Sequence, residues 1–155
     1  MPNVLQKWAV YEANVQQYRV LSATVQSFLL AIGAILFSIN KVPTDLVCLA
    51  VALIGMVHIF YVWMPVVLVR NLIVDYYKGQ LDLSHEQQIE IAGDCKERDF
   101  VKCPDKRKLL VEKYFAPEFR ITMRETRKKL DQFVPRTYAF IWGMMIVCKF
   151  YMNFF

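Results

Sequence analysis

Two groups of basic residues stand out in the second half of the chain: Lys106, Arg107 and Lys108, and further on Arg120, Arg124, Arg127 and Lys128. Guanidinium and ammonium groups clustered in this way bind phosphate and other oxyanions. Arg120, Arg124 and Arg127 recur at helical spacing and therefore share one helix face. A phosphate-bearing ligand, such as a nucleotide or a short single-stranded oligonucleotide, is one candidate for that face. Attraction to anionic lipid is the other, worth about 1 kcal/mol per basic residue near a membrane surface. Lipid attraction is the commoner outcome for such a cluster; Lys106, Arg107 and Lys108 lie further from the apolar segment that follows, which keeps the ligand in play. Phe100, Tyr114, Phe115 and Phe119 are near in sequence and could stack bases.

A second set of polar residues interrupts long apolar runs. His58 lies near the middle of one such run, and intramembrane ionisable groups are expensive and often functional. It is either a protonated gate or proton relay, or a neutral imidazole bonded to a neighbouring helix. Lys149 lies six residues from the last residue of the sequence, Phe155. It either snorkels to the outer headgroups or faces a water-filled lumen. Arg19, Ser22, Gln26 and Gly33 follow one another at steps of three, four and seven and form a stripe on one helix face. Small and polar residues mark helix–helix contacts in membranes. The same stripe would line a pore if several copies packed around an axis. Either role implies assembly, because three spans offer few internal partners.

Catalytic signals are absent. There is no phosphate-binding loop, nucleophile elbow, zinc-protease motif or glycine-rich dinucleotide loop. The expectation is a non-enzyme without a cofactor. His85, Cys95 and Cys103 lack zinc-finger spacing, so no metal is expected. Cys48, Cys95, Cys103 and Cys148 form no disulfide framework and suit a reducing compartment.

The elements that must position these residues are helices. Residues 20–40 and 46–69 are uncharged, and each is long enough to cross a bilayer, which needs about 20 apolar residues. The 155-residue chain is 56% hydrophobic and carries a formal charge of +5. That apolar share exceeds the soluble norm. The expected class is an all-α integral membrane protein with three transmembrane helices and a small cytoplasmic helical region. Residues 1–19 read as an amphipathic helix leading into a span at 20–39. A turn with Pro43 as breaker precedes a span at 46–69, whose last turns Pro65 should kink or loosen. The helix should continue over 71–78 and stop at Gly79. Ser84 and Gln87 form a capping box for a helix over 85–92, broken at Gly93-Asp94. Pro104 and Pro117 each fit a helix start, giving helices over 104–115 and 117–134. Pro135 opens the third span, 137–155. No cleavable signal peptide is expected, since about 19 residues precede an apolar run too long for one. Residues 70–136 hold 15 Lys/Arg against one in the turn between the first spans. That bias predicts that the N-terminus and residues 70–136 are cytoplasmic.

The segment Tyr11-Glu12-Ala13-Asn14-Val15-Gln16-Gln17-Tyr18-Arg19 enters an apolar helix at Ser27-Phe28-Leu29-Leu30-Ala31-Ile32-Gly33-Ala34. A polar helix with Tyr and Arg running directly into a span resembles the small membrane effectors of bacterial anti-phage nucleotide-signalling systems, the SLATT-type and Hailong-type effectors. The resemblance covers mainly residues 1–70. It implies membrane disruption in infected cells under control of a nucleotide or short single-stranded DNA. The expected function is then an oligomeric membrane channel or pore-forming effector gated by an anionic cytoplasmic ligand. Its expected partners are the lipid bilayer, further copies of itself in a closed ring such as a tetramer, and that ligand. The alternative is a non-conducting membrane anchor or adaptor whose cytoplasmic helices bind a protein.

Overall fold

The computed structural model describes residues 3–39, 42–115 and 117–154, without the side chains of 42–43, 117–130 and 153–154. Every regular element among them is helical: α1 Val4–Ser38, α2 Val42–Val57, a π-helical stretch His58–Trp63, α3 Met64–Lys78, α4 His85–Asp94, α5 Glu97–Lys102, α6 Pro104–Tyr114 and α7 Pro117–Phe154. Two helices, Val4–Ser38 and the continuous Thr44–Lys78, are long and apolar enough to cross a membrane, each through an 18-residue apolar window, of mean hydropathy 2.1 and 2.3. Only 17% and 28% of their apolar windows is buried, unlike the core helix of a soluble protein.

Several boundaries differ from expectation, each for a local reason. The amphipathic helix and the first span are one helix, since nothing between Arg19 and Val20 breaks the ladder. Pro43 does not interrupt the chain ahead of α2 but lies in its first turn, where a missing N–H costs nothing. α4 runs through Gly93 to Asp94. Pro135 lies inside α7 instead of opening a new helix. Its missing N–H leaves the ladder without the bond to the Asp131 carbonyl. Thr137 back-bonds there to the Phe133 carbonyl at 2.9 Å. α5 has only six residues, too short for periodicity to reveal.

The π stretch has a readable cause. Pro65 cannot donate to the carbonyl four residues back, and its ring crowds that carbonyl. The turn ahead of it is widened instead, and Met64 N–H bonds to Ile59 O, five residues back.

The chain divides into two compact units. Unit 1 comprises Met1–Gln17 and Val67–Lys129. Its core is aromatic: Tyr76, Tyr77, Phe100 and Phe115 are buried with Ile91, Cys95 and Leu110. Tyr11 stacks on Tyr77 with ring centroids 5.4 Å apart, and Tyr76 packs against Phe100 at 5.2 Å. The Phe115 ring fills the place of a side chain at Gly79, where an added Cβ would lie 2.4 Å from it. Gly79 therefore ends α3 and also makes room for the core. The Ser84–Gln87 capping box opens α4 as the sequence indicates.

Unit 2 comprises Tyr18–Val66 and Leu130–Phe155. Its helices pack through Ser22, Gln26, Cys48, Ala52, Ile59, Trp63, Trp142 and Lys149, all buried. Large apolar residues point outward, among them Phe28, Ile35, Leu53, Ile54, Val57, Phe140 and Val147. This reverses the usual order of a water-soluble protein, in which large exposed apolar patches are rare and polar side chains stay outside.

Candidate functional site

The polar stripe of α1 meets its partners inside unit 2. Gln26 is fully buried at its centre. Trp142 Nε1–H of α7 donates to Gln26 Oε1 at 2.9 Å. An indole N–H can only donate, so this contact fixes which way the amide points. Gln26 Nε2 then donates to the Gly55 carbonyl at 3.0 Å and to His58 Nδ1 at 2.9 Å. His58 Nδ1 is therefore an acceptor, and the ring is the neutral tautomer with its proton on Nε2. One amide thus ties α1 to α2, to the π stretch and to α7. This is the neutral, bonded form of His58 rather than a protonated gate.

Glycines make the close approach. An added Cβ at Gly55 would lie 2.6 Å from the Trp142 ring, and one at Gly33 2.9 Å from it. The indole is held in a slot between the two glycines, with its N–H aimed at Gln26. Gly33 therefore belongs to this contact through the space it leaves.

Ion pairs close unit 2 at two further points. Arg19 Nε and Nη2 each reach Asp131 at 2.7 Å, a bidentate pair of α1 with α7. Ser22 is buried one turn further along α1. Lys149 is buried within unit 2 instead of reaching outward. Its ammonium lies 2.8 Å from Asp45 Oδ1 and donates to the carbonyls of Phe37 at 3.1 Å and Ile39 at 3.4 Å. Those carbonyls stand at the C-terminal end of α1, where the ladder leaves acceptors unsatisfied and a cation is favoured. Asp45 occupies the first turn of α2, the favourable end for an anion. Lys149 thus fastens three helices.

The expectation that few internal partners exist for these polar groups meets a full set of contacts within one chain. Arg19, Gln26, His58 and Lys149 all find partners within the same chain. The sequence reading missed those partners. Trp142 and Gly55 give no polar signal of their own. Asp45 and Lys149 do share a depth, one opening the second apolar segment and one closing the third.

The basic groups of unit 1 are less convergent. Lys106, Arg107 and Lys108 are consecutive on α6, so they point in different directions. Lys106 pairs with Asp99 at 3.3 Å, and that carboxylate raises the lysine's pKa. Arg107 is half-buried and Lys108 exposed. Arg120, Arg124, Arg127 and Lys128 belong to α7, but their side chains lie outside the described residues, as does Phe119. The base-stacking role fails for Phe100 and Phe115, which are buried in the core. Tyr114 is also engaged, its hydroxyl donating to Glu90 at 2.7 Å and Asp94 at 3.0 Å. That hydroxyl and the Lys113 ammonium hold both carboxyls below their usual range. Burial and the hydrogen bond to Glu97 push the Tyr77 phenol well above its ordinary value.

Among the described residues, no group of His, Cys, Asp and Glu side chains is placed to hold a metal ion. Comparison with protein-family models, curated proteins and solved structures gives no match to this chain.

Proposed function

We propose that this chain is a multi-pass membrane protein whose unit 2 crosses the bilayer with three helices, and that it acts as an effector of that membrane. The inverted burial of unit 2 carries this reading: Ser22, Gln26 and Lys149 lie inside while Phe28, Leu53, Ile54, Phe140 and Val147 lie outside. In water that surface would drive aggregation. In hydrocarbon it faces a matching solvent, and the polar groups must pair internally. The surplus of basic residues over 70–136 favours a cytoplasmic unit 1 beneath the inner membrane.

In the effector reading, copies assemble into a closed ring, a tetramer being one such form. A cytoplasmic nucleotide or short oligonucleotide, held by basic residues of 106–108 and 120–128, selects between two arrangements of the helices. In this reading the arrangement described above is the closed one, with Gln26, His58 and Lys149 bonded within their own chain. Opening exchanges some of those bonds for water. The resemblance of the N-terminal segment to anti-phage effectors supports a role in bacterial defence.

Purified protein in dye-loaded liposomes tests this. Ligand-dependent leakage is expected, and changing Arg120, Arg124 and Arg127 to glutamate should abolish the ligand's control. Vesicles that stay tight under every ligand condition would refute it. A second reading, the non-conducting anchor or adaptor, draws support from the same internal pairing, because Arg19, Gln26, His58 and Lys149 are bonded without a second copy. Tight vesicles together with a monomer in detergent are its expected result.

A further inference from the structure

A cleft of about 390 Å³ opens between α2 and α7 beside the Asp45–Lys149 pair. That volume lies within the range of ligand sites, about 300–1,000 Å³. Its floor is made of Cys48, Ala52 and Lys149, which are 4%, 1% and 7% exposed. Leu46 and Phe150 form its rim and are exposed. The space exists because residues 48 and 52, one helical turn apart, are small. A leucine at either would fill much of it.

Its lining and its charges bear on what this cleft would hold. The lining is largely apolar, so water gains too few partners to fill it. Left empty, the walls would lose their dispersion contacts. The charged residues in it are matched to each other, and the three ammonium protons of Lys149 have Asp45 and the carbonyls of Phe37 and Ile39 to meet. No free donor or net charge remains to recruit an anionic headgroup. We infer that the cleft is a binding site for one hydrocarbon chain of a membrane lipid, lying along Ala52 and Cys48 with its polar end near the Asp45–Lys149 pair. This rests on the membrane reading of unit 2. A bound chain would act as a removable part of the α2–α7 contact.

The full-length protein in liposomes doped with a phospholipid carrying a photoactivatable acyl chain provides the test. Irradiation followed by peptide mapping should concentrate label on the cleft segments around residues 46–52 and 145–150. Outward positions such as Phe28 and Phe60 should receive much less. Ala52→Phe, which fills the floor, should reduce cleft labelling by about tenfold, the loss expected from roughly two buried methylenes. Even labelling of all outward faces, unchanged labelling of Ala52→Phe, or cross-links from the cleft to a second copy would overturn the inference. If Ala52→Phe does not fold, the wild-type thiol at Cys48 serves instead. Its alkylation by a hydrophobic maleimide, read by peptide mapping in delipidated protein, should slow when long-chain phospholipid is added. An unchanged rate would overturn the inference. Recovery of the protein in the aqueous supernatant of a detergent-free lysate would overturn the membrane reading as well, whereas even labelling of bilayer-bound protein would overturn only the lipid site.

Discussion

Replacing Gln26 by leucine tests the centre of unit 2. The two side chains are similar in size, so the change removes polarity with little loss of volume. Three interactions disappear: the Trp142 indole loses its acceptor, and His58 Nδ1 and the Gly55 carbonyl lose a donor. Interhelical hydrogen bonds in membranes average about 0.6 kcal/mol and reach about 1.7 kcal/mol. Leaving a buried donor or acceptor unmet costs about 1–3 kcal/mol. Gly55 O keeps a second lone pair for the helix ladder, so the main orphans are the indole N–H and the imidazole nitrogen. Leucine gains some burial in return. The expected net loss is about 2 kcal/mol. Unfolding by SDS titration in mixed micelles, followed by helical circular dichroism, measures it. A double-mutant cycle with Trp142→Phe should give a coupling of at least about 0.5 kcal/mol, as expected for residues in direct contact. A Gln26→Leu protein as stable as the wild type, or a coupling of zero, would refute the network. Altered conductance with unchanged stability would instead assign Gln26 to a lumen.

Lys149→Met should destabilise unit 2 by about 3 kcal/mol by stranding Asp45, and adding Asp45→Asn should recover much of the loss in the same titration. Gly55→Ala drives a methyl group into the Trp142 ring and should cost about 1–3 kcal/mol, while alanine at Gly93, which has open space around it, should cost nothing measurable. Ser84→Ala removes the α4 cap and should lower the stability of unit 1 by about 1 kcal/mol in urea. The raised pKa of Tyr77 sets a pH limit on unit 1. The folded state holds the neutral phenol while an unfolded phenol ionises near pH 10, so the contribution of Tyr77 is intact below about pH 10 and is lost as pH rises toward the folded value. Helicity should therefore fall at alkaline pH, and Tyr77→Phe should flatten that fall. An identical profile in the variant would contradict the assignment.

Much of this architecture is legible in the residues. The apolar runs, the capping box at Ser84 and the stop at Gly79 each rest on local chemistry that the sequence displays. Prolines are less readable, because Pro43, Pro65 and Pro135 all allow several outcomes. One lies in a first turn, one follows a widened turn, and one is carried inside a helix. The stripe of Arg19, Ser22, Gln26 and Gly33 is visible as a pattern on one face. Its partners are not, because Trp142 and Gly55 matter through shape, and Asp131 lies 112 residues from Arg19. The aromatic residues near the basic groups illustrate the opposite error. Phe100 and Phe115 suit base stacking by type and position, yet unit 1 buries both in its core beside Ile91 and Leu110.

The account depends most on unit 2 facing lipid with its outer surface and closing its polar groups inside. Spin labels placed singly at Phe28, Leu53 and Val147, with Ser22 as an inward reference, measure this by electron paramagnetic resonance in liposomes. Labels at the three outward sites should collide freely with oxygen and be shielded from a water-soluble nickel complex, while the Ser22 site should be shielded from both. Ready access of the nickel complex to Phe28, Leu53 and Val147 would contradict the account.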